Sequence, residues 1–213
     1  MKALGKLSLT LGLTIIVSLL LTSCSGVVTP ELPLGLDEEI SKVEEIDYVY
    51  LDVPFERYAG ANWCLPASGA MTLKYFGEDI SQAQIASKVI VNGSSSVFRF
   101  INFAEGLGFE TKYQSKTIEE IKVLLEEDIP VIAVQNYSLT QPYSHARVII
   151  GFDDEKEEVI TNDPTAGKDH IISYADFQAL NFDSNPDKCK VIILSLEEDD
   201  ILNAELIDNT DNS

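Results

Sequence analysis

Two stretches of this chain could act together on an acyl group. One puts a cysteine at the head of a helix-forming run, and the other puts a histidine at the head of a strand-forming run. The first is Asn62-Trp63-Cys64-Leu65-Pro66-Ala67-Ser68-Gly69-Ala70-Met71. Proline fits a first helical turn, where a missing N–H does no harm, and the small and apolar residues after it keep helical spacing. A thiol there lies at the positive end of the helix dipole, which favours the thiolate. The free N–H groups of the same turn can hold a developing oxyanion. His145 precedes the strand-like run Ala146 to Phe152, and Asp163 follows the next such run in Asn162-Asp163-Pro164. If Asp153-Asp154-Glu155-Lys156 turns the chain between them, the far ends of the two strands meet and His145 falls beside Asp163. A carboxylate in that position fixes the histidine tautomer and supports its charged form. A cysteine within reach of such a histidine exists partly as thiolate. Taken singly, these are a common core cysteine, a common strand-end histidine and a common Asp-Pro turn; the combination is what argues for a site.

The elements that must position these residues follow in order. Tyr48 to Pro54 is β-branched and aromatic and reads as a short strand stopped by proline. A loop, Phe55 to Trp63, leads to a helix from Cys64 to about Phe76, ended by Gly77. Ser81-Gln82-Ala83-Gln84 is a capping box opening a helix to about Val89, and Asn92 to Ser96 is a loop. Val97 to Glu105 is a third helix, closed by Gly106 and Gly108. Phe109 to Gln114 is a strand, and Thr117-Ile118-Glu119-Glu120 is a second capping box, opening a helix to Glu127. Strands follow at Ile129 to Val134, Ala146 to Phe152 and Glu158 to Thr161, then a short helix at Ser173 to Leu180 and a last strand at Lys190 to Leu194. Helices dominate the first half and an antiparallel sheet the second, an α+β domain spanning residues 47–196.

Residues 1–23 read as an address. Lys2 and Lys6 precede an apolar run to Leu21, too short to span a bilayer comfortably but right for a signal peptide. Leu21-Thr22-Ser23-Cys24 resembles the bacterial lipobox, which implies cleavage before Cys24 and diacylation of its thiol. Two acyl chains suffice for stable anchoring. The expected place is the extracytoplasmic face of a membrane, with residues 24–46 as a tether and 197–213 as an acidic tail. The chain carries −20; loss of the two signal-peptide lysines takes it to −22. Such a body repels phosphate backbones, so nucleic acid is not an expected partner. Three cysteines are too few for a disulfide scaffold, although Cys64 and Cys189 could pair in an oxidising compartment. Two histidines and no clustered cysteines give a zinc site little support, and no cofactor is implied.

Val53-Pro54, Asn62 to Ser68, Tyr75-Phe76-Gly77, Ser144 to Asp153, Thr161 to Pro164 and Tyr174 to Phe177 together resemble the papain-like cysteine peptidases related to the bacteriocin-processing (double-glycine leader) peptidase family. The resemblance spans about Leu51 to Leu194. It implies a papain-like fold and peptide-bond hydrolysis of a peptide or protein substrate. It also implies Cys64 as nucleophile, His145 as general base and acid, and Asp163 as the orienting carboxylate. One departure stands out. The family's glutamine, about six residues before the cysteine and donating to the oxyanion, is replaced by Tyr58. Tyr58 and Asn62 are the candidate substitutes, and Trp63 is a candidate wall of the substrate cleft. Leu65 stands where the family has glycine. The alternatives are an inactive peptide-binding protein on the same fold, or an amidase- or transglutaminase-type acyl transferase.

Overall fold

The computed structural model describes residues 46–196. The signal peptide, tether and acidic tail read from the sequence lie outside the described residues. Strand β1 (Tyr48–Tyr50) is shorter than its sequence pattern suggests. Beyond it Leu51 and Val53 leave the ladder but stay in the core, with the Leu51 N–H on the Ile150 carbonyl at 2.7 Å.

Helix α1 (Cys64–Tyr75) is the centre of the packing. Every residue from Leu65 to Leu73 is buried, so the helix is enclosed on all sides and not merely laid on a surface. Small residues make this possible. A β-carbon on Gly69 would come within 2.4 Å of the Phe100 ring, which lies directly against α1 at this point. Gly77, at φ +92°, closes α1, with the Glu78 N–H returning to the Leu73 carbonyl at 2.9 Å.

Helix α2 (Gln82–Val89) opens on the capping box expected from Ser81 and Gln84. It runs directly into a minimal hairpin of β2 (Ile90–Val91) and β3 (Ser94–Ser95). The sequence reads as a loop there, because two-residue strands carry no alternation to detect. Helix α3 (Val97–Glu105), capped by Ser96, buries Phe100 and Ala104. Strand β4 (Glu110–Lys116) and helix α4 (Ile118–Glu126) follow, and Thr117 and Glu120 form the second capping box. The remaining elements are β5 (Val131–Asn136), β6 (Ser144–Asp153), β7 (Glu158–Asp163), β8 (Gly167–Ser173), α5 (Tyr174–Ala179) and β9 (Cys189–Ser195).

The main sheet runs β4-β9-β5-β6-β7-β8, with β1 paired to β6, and all its pairs are antiparallel. The fold is α+β, with an antiparallel sheet in the second half and most of the helix in the first. Strand β6 is the hub: it pairs with β5, β7 and β1, and α1 packs on it. Its length carries His145 inside the sheet rather than ahead of it. Strand β8 is an element the sequence pattern missed. It is an edge strand, and Lys168, Asp169 and His170 are exposed on it, so its sequence looks like a loop. His170 is exposed, and its backbone carbonyl accepts the Thr161 hydroxyl at 2.9 Å.

Candidate active site

Cys64 is the first residue of α1, and no side chain caps the turn. Ala67 is the first whose N–H returns into the helix, to Trp63 O at 2.8 Å. Pro66 has no N–H, so the orphan donors of this helix start belong to Cys64 and Leu65. The sequence thus leaves two backbone donors beside the thiol and removes a third that would need a partner.

The hairpin of β6 and β7 brings the other two residues together. His145 Nε2 lies 3.0 Å from both carboxylate oxygens of Asp163. Only 4% of His145 and 2% of Asp163 are exposed. The other ring nitrogen is left for Cys64, which lines the same cleft as His145 and feels its charge. The Tyr137 ring meets the imidazole edge-on, with centroids 5.2 Å apart, and stacks on Tyr143 at 4.9 Å. These rings limit how far the histidine can swing. Asp163 is fixed in turn by the backbone: Oδ1 accepts the Thr165 N–H at 2.7 Å and the Ala166 N–H at 3.0 Å.

The electrostatics follow from this packing. Burial pushes the Cys64 thiol up, but the hydrogen bond from His145 and its charge, with backbone contacts at Ala146 and Leu65, outweigh it. The thiol ends below its ordinary value. Burial pulls His145 down, while hydrogen bonds to Asp163 and Cys64 and the Asp163 charge raise it above its ordinary value. Burial would raise Asp163, yet His145, the Arg147 charge and the Ala166 N–H hold it well below the usual carboxylate range. These shifts run in the directions that favour a thiolate at Cys64, an imidazolium at His145 and an ionised Asp163.

These groups open into a cleft of about 550 Å³, lined among others by Tyr58, Trp63, Leu65, Val97, Val134 and Tyr143. Among the described residues, no aspartate, glutamate, lysine or arginine lines it. Trp63 is half-buried, and its indole covers Gly60, where a β-carbon would meet the ring at 2.5 Å. Asn62 lines the cleft in the left-handed region, at φ +62°. Its amide donates to the Gly93 carbonyl at 2.8 Å, and its own carbonyl accepts from the Ser95 hydroxyl at 2.8 Å. Asn62 therefore ties the approach to α1 onto the β2–β3 hairpin, and its amide is already engaged. Tyr58 is 45% exposed and borders the same cleft.

Two residues of this neighbourhood escaped the sequence reading. Gln82 is buried; it accepts from the Ala59 N–H at 3.0 Å and donates to the Arg57 carbonyl and to Glu56, both at 2.7 Å. It pins the loop that carries Tyr58, while Arg57 donates to the Thr165 carbonyl at 2.9 Å and joins that loop to the turn after Asp163. Arg147 is also buried, with Nε 3.1 Å from Asp163 Oδ2. A glutamine in a capping box and an arginine in an apolar strand carry no signal of such roles. Cys64 and Cys189 are both free thiols; Cys189 is buried and pushed up to about 12, chiefly by that burial. Among the described residues, no three His, Cys, Asp or Glu side chains gather in a way that could hold a metal ion.

Solved structures share this fold. A protein described as a C39-like peptidase from Bacillus anthracis is similar at TM-score 0.57 and 18% identity, over 71% of this chain and 99% of that one. The double glycine motif protease of an AMS/PCAT transporter, solved with its leader peptide, is similar at TM-score 0.54 and 22% identity, over 71% and 100%. Xylellain, a cysteine protease from Xylella fastidiosa, is similar at TM-score 0.50 and 11% identity, over 72% and 87%. The fold is therefore that of the papain-like and C39 cysteine peptidases. Residues 50–184 match the model of the Peptidase C39-like family, and the chain belongs to that family. No curated protein matches the chain.

Proposed function

We propose that this protein is a cysteine peptidase that cleaves peptide bonds by acyl transfer to Cys64 and hydrolysis of the thioester. The observation that carries the reading is the cluster Cys64–His145–Asp163, in which a half-buried thiol shares a cleft with a buried imidazole that is itself hydrogen-bonded to a buried carboxylate. The Cys64 thiolate attacks the scissile carbonyl carbon, and the electron pair moves to the carbonyl oxygen. The N–H groups of Cys64 and Leu65 face that oxygen, and the Tyr58 hydroxyl is the side-chain donor in place of the family's glutamine. The imidazolium of His145 gives its proton to the leaving amine. The neutral ring then takes a proton from water, whose oxygen attacks the thioester carbon; cleavage of the C–S bond releases the acid and returns the Cys64 thiolate beside the imidazolium. Asp163 holds the ring in the tautomer that both steps need. Leader-peptide binding by the AMS/PCAT protease in this fold supports a peptide as occupant of the cleft. Apart from Cys64 and His145, the described lining of the cleft is uncharged, which suits uncharged residues at the scissile bond.

Through the lipobox-like sequence at Cys24, the enzyme is anchored by lipid to the extracytoplasmic face of a membrane. The test uses the full chain. An electrophilic peptide probe is expected to add its mass to Cys64, with labelling lost in Cys64→Ala and His145→Ala. A fatty-acid label is expected on Cys24 and absent in Cys24→Ser. Peptide binding without labelling or cleavage would instead favour the inactive binder, the reading that the loss of the glutamine favours. Ammonia release from glutamine donors would point to acyl transfer.

A further inference from the structure

The proposed chemistry leaves Arg147 without a part, yet it sits against the carboxylate of the triad. It is two residues from His145 on β6, so both side chains leave the same face of the strand. Only 2% of it is exposed. Burying a guanidinium is expensive unless it is well paired. Its pairing here is electrostatic more than directional. Nε lies 3.1 Å from Asp163 Oδ2 without the alignment of a hydrogen bond. One Nη donates to the Tyr137 carbonyl at 3.1 Å, and the other stands 3.5 Å from Gln135 Oε1. Gln135 is held by the Phe177 carbonyl and Asn181, both at 2.8 Å, which seats this network on α5. A buried carboxylate facing one histidine alone would hold a proton on that histidine too firmly for it to be passed on. A buried cation on the same carboxylate relieves this.

We propose that Arg147 is a positioning residue, whose guanidinium holds the Asp163 carboxylate and offsets its charge, so that Asp163 orients His145 without trapping a proton on it. This rests on the reading of Cys64, His145 and Asp163 as a triad. The groups facing His145 are Cys64 from α1, Asp163 from β7, Arg147 from its own strand and the phenol Tyr137, with Tyr143 stacked behind it. Those facing Arg147 are Asp163, Tyr137 and, from β9, Cys189. Cys189, at about 12, stays neutral through the working range. The Arg147 charge acts on His145 in the direction the proposal needs, opposing Asp163.

The test reads the thiol directly, independent of any peptide. Alkylation of Cys64 by iodoacetate, an anion that needs the imidazolium, should follow a bell in pH whose alkaline limb reports His145. In Arg147→Gln and Arg147→Met that limb is expected to move up by about one pH unit, while Arg147→Lys keeps the cation and stays near wild type. A limb that does not move, with only a lower melting temperature, would reduce Arg147 to a structural residue and overturn the proposal; a downward shift would also overturn it. A wild-type profile without a bell would sink the triad reading instead, so the two failures are distinct. If neither neutral variant folds, Asp163→Asn is compared with Asp163→Asn/Arg147→Gln, which removes both buried charges. The limb is expected higher in the double variant; equal limbs would refute an electrostatic part for Arg147.

Discussion

At the scale of single residues, the proposed replacement for the family's glutamine is Tyr58. The Asn62 amide is spent on Gly93, whereas Tyr58 borders the cleft on a loop pinned by Gln82 and Arg57. Tyr58→Phe keeps the ring and removes the donor, so kcat is expected to fall by about 10² with KM little changed. Tyr58→Gln is expected to recover activity relative to Tyr58→Phe. Steady-state kinetics on a cleaved peptide check both. An unchanged kcat in Tyr58→Phe would leave the two backbone donors as the whole oxyanion site. The helix start at Cys64 and the pairing of His145 with Asp163 could be read from sequence because a proline-marked helix start and a four-residue turn are local signals, whereas the approach of Cys64 to His145 is implied only by the family resemblance. Arg147 and Gln82 could not, since their roles depend on what long-range packing places against them.

At the scale of elements, α1 is where sequence tolerance is smallest. Gly69 has the Phe100 ring where its β-carbon would be, and Phe100 is fully buried with nowhere to retreat. Gly69→Ala is expected to cost about 1–3 kcal/mol despite alanine's better helix propensity, as overpacking outweighs it. Chemical denaturation measures this, and a stabilised variant would show that α3 can move away. Helices with explicit caps were legible to within a residue or two: Ser81, Ser96, Thr117 and Ser173 each cap the helix expected after them. The pieces that were not legible are short or on an edge. Ser94–Ser95 pairs across only two residues, and β8 exposes charged side chains where a buried strand would show alternation.

At the scale of the whole molecule, the chain carries −20, whereas none of the described residues that line the cleft is Asp, Glu, Lys or Arg. The body therefore acts on the approach of a substrate more than on its bound state. For a peptide with basic residues outside the scissile pair, kcat/KM is expected to fall severalfold as salt rises toward physiological strength, with kcat unchanged. Equal salt dependence for acidic and basic peptides would exclude this steering. The two described cysteines carry a further consequence of the fold. In an unfolded chain they are equivalent thiols; in the native one Cys64 becomes more acidic while Cys189 rises to about 12. Reactivity is thus acquired late, when a histidine 81 positions downstream is delivered to the head of α1. The ratio of label on the two sulfurs near neutral pH tells how much of a preparation is properly closed, an internal gauge that needs no knowledge of the substrate.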